Sequence, residues 1–299
     1  MSSWKGKTRG GLAGYRFFIF ILKYPGISFA YFFLRFVVLY FVLFVPKGRK
    51  PIFWYFRNIL QFGWFKSVRF LFRNFYLLGQ VLLDKVALLA GFSNQFTFDF
   101  EGESHIRKMA ASSGGLLIGA HMGNWEIAGQ LLERIDTKVH IVMIEAEHEK
   151  IKSLLDSVMV KKQMDIIVIK DDFSHLFKIK EALQKNELVA IHGDRFLPES
   201  KTMHCQFLGK DAEFPTGPFY LAVKYNKPVT FVSAVKETKS HYHFYATPAR
   251  VYKAENNLKS REKQSRNMLL DYVKRLEITV KEHPEQWFNY YYFWGEEKK

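Results

Sequence analysis

Cysteine is almost missing from this 299-residue chain: Cys205 is the only one. A single thiol cannot form an intrachain disulfide, and it excludes a zinc site built on paired cysteines. Acidic residues are missing from the first 83 positions, which carry thirteen lysines and arginines. The remaining 216 residues hold 31 basic and 29 acidic side chains, so the net charge of +15 belongs almost wholly to the N-terminal segment. That segment also holds 25 of the 51 aromatic residues. An arm that binds nucleic acid is polar between its basic residues, whereas this one is greasy. The expected partner is therefore an anionic membrane surface and not nucleic acid.

Residues 1–14 are basic and glycine-bearing, but no short apolar stretch with a small-residue cleavage site follows them, so the segment is expected to be retained. Ile27–Pro46 is twenty residues long with one charge, Arg35. That length crosses a hydrocarbon core. Basic residues flank both ends, so charge asymmetry gives no orientation, and a spanning helix and a tilted interfacial helix both fit. Phe53–Gly79 reads as a second helix with a basic stripe. Its polar residues Arg57, Gln61, Lys66, Arg69 and Arg73 recur every three to five positions, which would set Arg57, Lys66, Arg69 and Arg73 among lipid phosphates. Helix continues over Val81–Ala90 and stops at Gly91. A boundary follows here, with membrane-anchoring helices over 1–91 and a second domain over 92–299.

Beyond that boundary strands and helices alternate. Phe96–Phe100, Leu116–Gly119, Val139–Ile144, Ile166–Ile169, Leu188–His192, Val229–Val235 and His241–Thr247 have the apolar or alternating character of strands, the last at a sheet edge. Ser104–Ser113, residues 150–163, Lys178–Lys185, Phe219–Tyr225 and residues 257–282 have helical patterning. This order argues for an α/β fold, a mostly parallel sheet flanked by helices.

The chain is organised around Leu116–Leu132, LLIGAHMGNWEIAGQLL. An apolar strand ends near Gly119, His121 follows, Asn124 is a candidate N-cap, and a helix carries Glu126 in its first turn. An imidazole at a strand's C-terminal end sits where open α/β sheets bind ligands, and its pKa of about 6.5 suits a general base. On one continuous helix His121 and Glu126 would be about 140° apart, so they meet only if His121 lies in the turn before the helix. A structural histidine beside a surface glutamate fits the spacing equally well. His204 next to Cys205 has no second pair at ligand spacing, and no metal site is expected. The aromatic run Trp287–Trp294 is read as packing against the core.

The H-x4-E element of HMGNWE resembles the H-x4-D/E motif of the lysophospholipid acyltransferase superfamily, in the branch of the late lipid A (lauroyl/myristoyl) acyltransferases. VAIHGDR (Val189–Arg195), FLGKDAEFPTGPFYL (Phe207–Leu221) and PEQWFNYYYFW (Pro284–Trp294) match the same branch in the same order. The resemblance implies an acyltransferase-type fold behind an N-terminal membrane-binding segment. It implies transfer of a fatty acyl group from an acyl carrier protein or coenzyme A thioester to a hydroxyl of an anionic lipid acceptor, a lipid A precursor. His121 would be the general base and Glu126 its orienting carboxylate. Asn124, Asp194, Arg195, Thr216 and Gly217 would contact substrate, with no cofactor beyond the acyl donor. The setting would be the bacterial inner membrane with the catalytic domain cytoplasmic. An acyltransferase for an aminolipid, pigment or phosphoglycolipid, or a membrane-surface binding protein without activity, remain the rival readings.

Overall fold

The computed structural model describes residues 20–21, 23–89, 91–92, 95–124, 135, 137–144, 164–170, 172–197 and 200–295. Glu126 and the helix expected for it, and the helix expected over residues 150–163, lie outside the described residues.

Helix α1 (Ile27–Phe44) stops just before Pro46, which opens α2 (Pro46–Trp54). Pro fits there because the first helical N–H groups have no intrahelical partner. A π-helical turn, Tyr55–Ile59, follows, and α3 (Trp64–Leu89) begins only after a break. The expected single helix over Phe53–Gly79 is thus interrupted. Gln61 takes a positive φ of 53°, and the chain turns through residues 61–63 without helical bonding. Lys66, Arg69 and Arg73 share α3, while Arg57 sits on the π turn, where its Nη1 donates to the Phe62 carbonyl at 2.5 Å.

Ala30, Tyr31, Leu34, Val38 and Val42 form the buried face of α1, and α1 lies against α3. The two helices approach closely at Gly79, where an added Cβ would sit 2.6 Å from a Leu34 methyl. The opposite face of α1 exposes Phe29, Phe32, Phe36, Tyr40 and Phe44. Among the described residues α1 is the one helix long and apolar enough to cross a membrane.

The main sheet contains β1 (Thr97–Glu101), β2 (Gly115–Gly119), β3 (Val139–Ile144), β4 (Met164–Ile169), β5 (Leu188–His192), β8 (Val229–Lys236) and β9 (His241–Ala246), in the order β1-β9-β8-β2-β5-β3-β4. Strands β8, β2, β5, β3 and β4 run parallel, and β9 with its parallel partner β1 runs the other way. The fold is α/β with a mostly parallel sheet. His241–Ala246 is not the edge strand expected from its alternation. Phe98 and Phe100 of β1 lay their rings on Phe244, 5.9 and 5.0 Å between centroids, and β1 takes the edge.

Helices α4 (Glu103–Ala110), α5 (Ser174–Gln184), α6 (Gly217–Lys224) and α7 (Leu258–Glu282) complete the described layers. A hairpin of β6 (Thr202–Phe207) and β7 (Lys210–Pro215) has no counterpart among the expected strands. One hydrophobic cluster joins Leu34, Phe56 and Ala87 to Leu116, Phe219 and Trp287, so apolar packing is continuous across residue 91.

The junction also carries a buried polar knot. Asp84 of α3 accepts hydrogen bonds from Tyr31 of α1, Tyr242 of β9 and Lys236 at the end of β8. Lys236 Nζ donates further to the Lys239 carbonyl at 2.7 Å. Satisfying the ammonium this fully is what makes its burial tolerable.

Candidate active site

The parallel strands bring two chain segments to one sheet edge. Gly119 of β2 lies in register with His192 of β5, so the residues that follow each strand emerge side by side. After β2 the chain turns at Ala120–Met122, where Met122 N donates to Ala120 O at 2.7 Å, and residues 121–124 are held on both sides. Met122 bridges Trp287 and Gly123 bridges Ala234. Gly123 N donates to Gln286 O, Asn124 N to Ala234 O, and Phe288 N to His121 O, all at 2.8–2.9 Å. Gly123 has φ +61°, and a Cβ there would lie 1.8 Å from the Ala234 carbonyl oxygen, so only glycine fits between the two neighbours.

Against this pinned segment stands Asp194, two residues past β5. Its Oδ1 lies 2.8 Å from His121 Nδ1, and its Oδ2 accepts from His121 N at 2.9 Å and from Trp287 Nε1 at 3.3 Å. Burial alone would raise the Asp194 pKa. The charge and hydrogen bond of His121, with help from Arg195 and His192, outweigh that and hold the carboxyl below its usual range. An ionised carboxylate only accepts hydrogen bonds. His121 therefore carries its proton on Nδ1, and in the neutral ring the lone pair is on Nε2. His192 Nδ1 lies 3.2 Å from that Nε2. The His121 side chain is 14% exposed, against 1% for Asp194. A sealed carboxylate thus orients an imidazole that still reaches solvent, the arrangement of a general base with its orienting acid.

The other expected site residues separate into two groups. Asn124 is fully buried, and its Nδ2 donates to Val81 O and Tyr242 Oη at 3.4 Å, so it braces the loop instead of presenting itself to substrate. Asp194 likewise gives its oxygens to protein groups. Arg195 follows at the same edge, donating through Nη2 to the Phe288 carbonyl. Its Nε and the Oδ1 of Asn289 are buried without a hydrogen-bond partner among the described residues. Thr216 and Gly217 start α6. Phe219 of that helix packs on Tyr272 at 5.4 Å, and Tyr272 Oη donates to Gly119 O at 2.9 Å, so they connect to the site through packing. Of the basic residues assigned to lipid, Arg57, Lys66 and Arg69 are exposed, Lys66 lying 3.6 Å over the Phe62 ring, while Arg73 pairs with Glu285 at 2.6 Å.

Sequence reasoning missed two members of the site. Trp287 was read as core packing; it is 1% exposed, but its indole N–H needs an acceptor when buried and finds Asp194. His192 was read only as the end of a strand, although it stands two residues before Asp194.

The sequence profile of the bacterial lipid A biosynthesis acyltransferases matches residues 84–294. The chain belongs to this family. It is an acyltransferase, and its family makes it a lipid acyltransferase. The chain is also similar in structure to the 1-acyl-sn-glycerophosphate acyltransferase PlsC of Thermotoga maritima, with a TM-score of 0.36 and 17% identity over 82% of this chain and 97% of that one. No curated protein sequence matches it. The family's span starts at Asp84 and ends at Trp294, so it takes in every member of the His121 site and leaves out α1 and α2.

Proposed function

We propose that the protein transfers a fatty acyl chain from an acyl carrier protein or coenzyme A thioester to a hydroxyl of an anionic lipid acceptor, a lipid A precursor. The observation that carries this reading is the two-point hold of Asp194 on His121 in a chain of this family. His121 Nε2 takes the proton of the acceptor hydroxyl as its oxygen attacks the thioester carbonyl. The tetrahedral intermediate then collapses, and the departing thiolate receives that proton back from Nε2. Asp194 keeps the Nδ1 proton in place and stabilises the imidazolium between the two steps. Glu126, outside the described residues, is retained as a second carboxylate whose charge favours the imidazolium.

Arg195 and Asn289 are assigned to the acceptor. A guanidinium with an unpaired N–H suits a phosphate oxygen, and an unpaired amide oxygen suits a sugar hydroxyl. The aromatic face of α1, with exposed Trp64 and Phe65 beside Lys66 and Arg69, supports attachment to an anionic membrane. That membrane is assigned as the bacterial inner membrane with the catalytic edge cytoplasmic, where acyl thioesters are made available.

The test is acyl transfer by the purified full chain in detergent micelles, with acyl carrier protein and coenzyme A thioesters offered in parallel to a lipid A precursor. His121→Ala should lower turnover at least about a hundredfold, the lower range for losing a general base, while folding as the parent does. Near-parental turnover in that variant refutes the proposed role.

A further inference from the structure

We propose that His121 and His192 form a binding site for a divalent transition-metal ion of the zinc type, one that competes with the base function of His121. The two imidazoles meet edge to face with ring centroids 4.2 Å apart. His121 Nε2 and His192 Nδ1 are 3.2 Å apart, and Asp194 completes a cluster whose ligand-type atoms all lie within 4.8 Å of one another. With Zn–N bonds of about 2.0–2.1 Å, two nitrogens 3.2 Å apart subtend about 100° at the metal, close to the tetrahedral angle.

The surroundings match what such a ligand pair requires. A metal-bound histidine donates its other ring N–H to a carboxylate, which fixes the tautomer and raises its basicity. His121 has this already: Nδ1 is engaged with Asp194 and Nε2 is turned to His192. Asp194 is committed to that second-layer contact and to Trp287, so among the described residues two nitrogens are supplied to the ion. Coordination needs His192 to carry its proton on Nε2 instead of Nδ1, a tautomer change that releases no proton. Both donors come from rigid places, one from a loop pinned on two sides and one from the end of a central strand. Imidazole pairs select zinc, copper and nickel over magnesium and calcium, which prefer oxygen cages.

Occupancy would tie up the lone pair that accepts the acceptor's proton. Zinc would then inhibit transfer, a consequence that rests on the general-base reading, whereas binding itself does not. Other histidine–carboxylate groupings lie nearer the surface, with His204 2.8 Å from Asp211 and His243 3.2 Å from Glu237, while His140, 2.6 Å from Glu187, is buried. The experiment therefore starts from a metal-free full chain carrying His204→Ala and His243→Ala. Zinc chloride is titrated by calorimetry, and cobalt chloride is followed by visible absorption.

The expected result is one Zn2+ per chain, displaced by Cu2+ and not by millimolar Mg2+, and a cobalt spectrum of low coordination number. Both signals should be lost in His192→Phe and in His192→Asn, two variants of different size whose folding is checked by circular dichroism. Binding that is unchanged in both folded variants, or no binding in the parent, overturns the site and leaves the base assignment standing. Binding that depends on His192 while saturating zinc leaves the transfer rate unaltered keeps the site and overturns the base assignment.

Discussion

Asp84 and Asp194 are both sealed inside this protein and are used in opposite ways. Asp194, at the C-terminal edge of the parallel strands, is 1% exposed, and Asp84, between the N-terminal helices and the sheet, is 0% exposed. Burial raises the pKa of each, yet the outcomes differ. For Asp84 burial prevails over Lys236, Tyr242 and Tyr31, and the carboxyl sits above its ordinary range. For Asp194 burial is outweighed by His121, Arg195 and His192, and the carboxyl sits below it. Burial also lowers Lys236, so desolvation works against both charges of the Asp84 pair. The lesson is that depth alone does not set the role of a buried acid. Asp84 is enclosed with its partners and ties helices to sheet, while Asp194 is enclosed beside an imidazole that reaches solvent, where the proposed chemistry takes place.

The sharpest way to break this contrast is Asp194→Asn. It keeps the shape but removes the charge and the preference for the Nδ1–H tautomer, so turnover should fall by roughly two to four orders of magnitude, as for other triad acids. The same variant carries a pH signature in stability. A carboxyl whose folded pKa is depressed stabilises the protein above its unfolded pKa of about 4, and that contribution disappears as pH falls through the lower folded value. Urea unfolding of parent and variant should therefore differ most near neutral pH and converge in acid. A gap that widens in acid would contradict the assignment.

Lys236→Met tests the other carboxylate. Leaving Asp84 buried without its cation should cost about 3–5 kcal/mol of stability, and adding Asp84→Leu should restore much of it. A single variant as stable as the parent would mean that the pair is not what joins the helices to the sheet. Smaller effects are expected at the link between the two halves. Trp287→Phe keeps the ring but removes the N–H to Asp194, which should cost about 1 kcal/mol of stability and lower turnover severalfold without moving the acceptor KM. The smallest effect belongs to the outer face of the helix layer. Replacing Lys66 or Arg69 by Gln should weaken binding to anionic vesicles by about 1 kcal/mol each and leave binding to neutral vesicles unaltered.

Much of the sheet was legible because its strands are apolar, β-branched and bounded by glycine or charge, as in LLIG and IIVI. His121 was legible because a histidine directly after such a strand is placed by topology. The pairing of His121 with Asp194 was not, since 73 positions separate them and only the parallel register of β2 with β5 brings them together. The break at 60–63 was hidden because basic residues continue at helical spacing on both sides of it, and a positive φ at Gln61 has no composition signal. His241–Ala246 was placed at the edge because its alternation is as regular as a half-exposed strand's. It is β1, whose Phe98 and Phe100 cover it, that faces outward. The Asp84 knot was invisible for a related reason: one acid beside Lys85 reads as a surface pair until Lys236 and two tyrosines from distant segments are seen around it.

The most direct measurement is a double-mutant cycle on kcat with His121→Ala, Asp194→Asn and the double variant, at saturating thioester and acceptor. If Asp194 acts through His121, the double variant should be no slower than His121→Ala alone, because the carboxylate has nothing left to orient. Losses that multiply in the double variant, or an Asp194→Asn enzyme at the parent rate, would contradict a base held by Asp194.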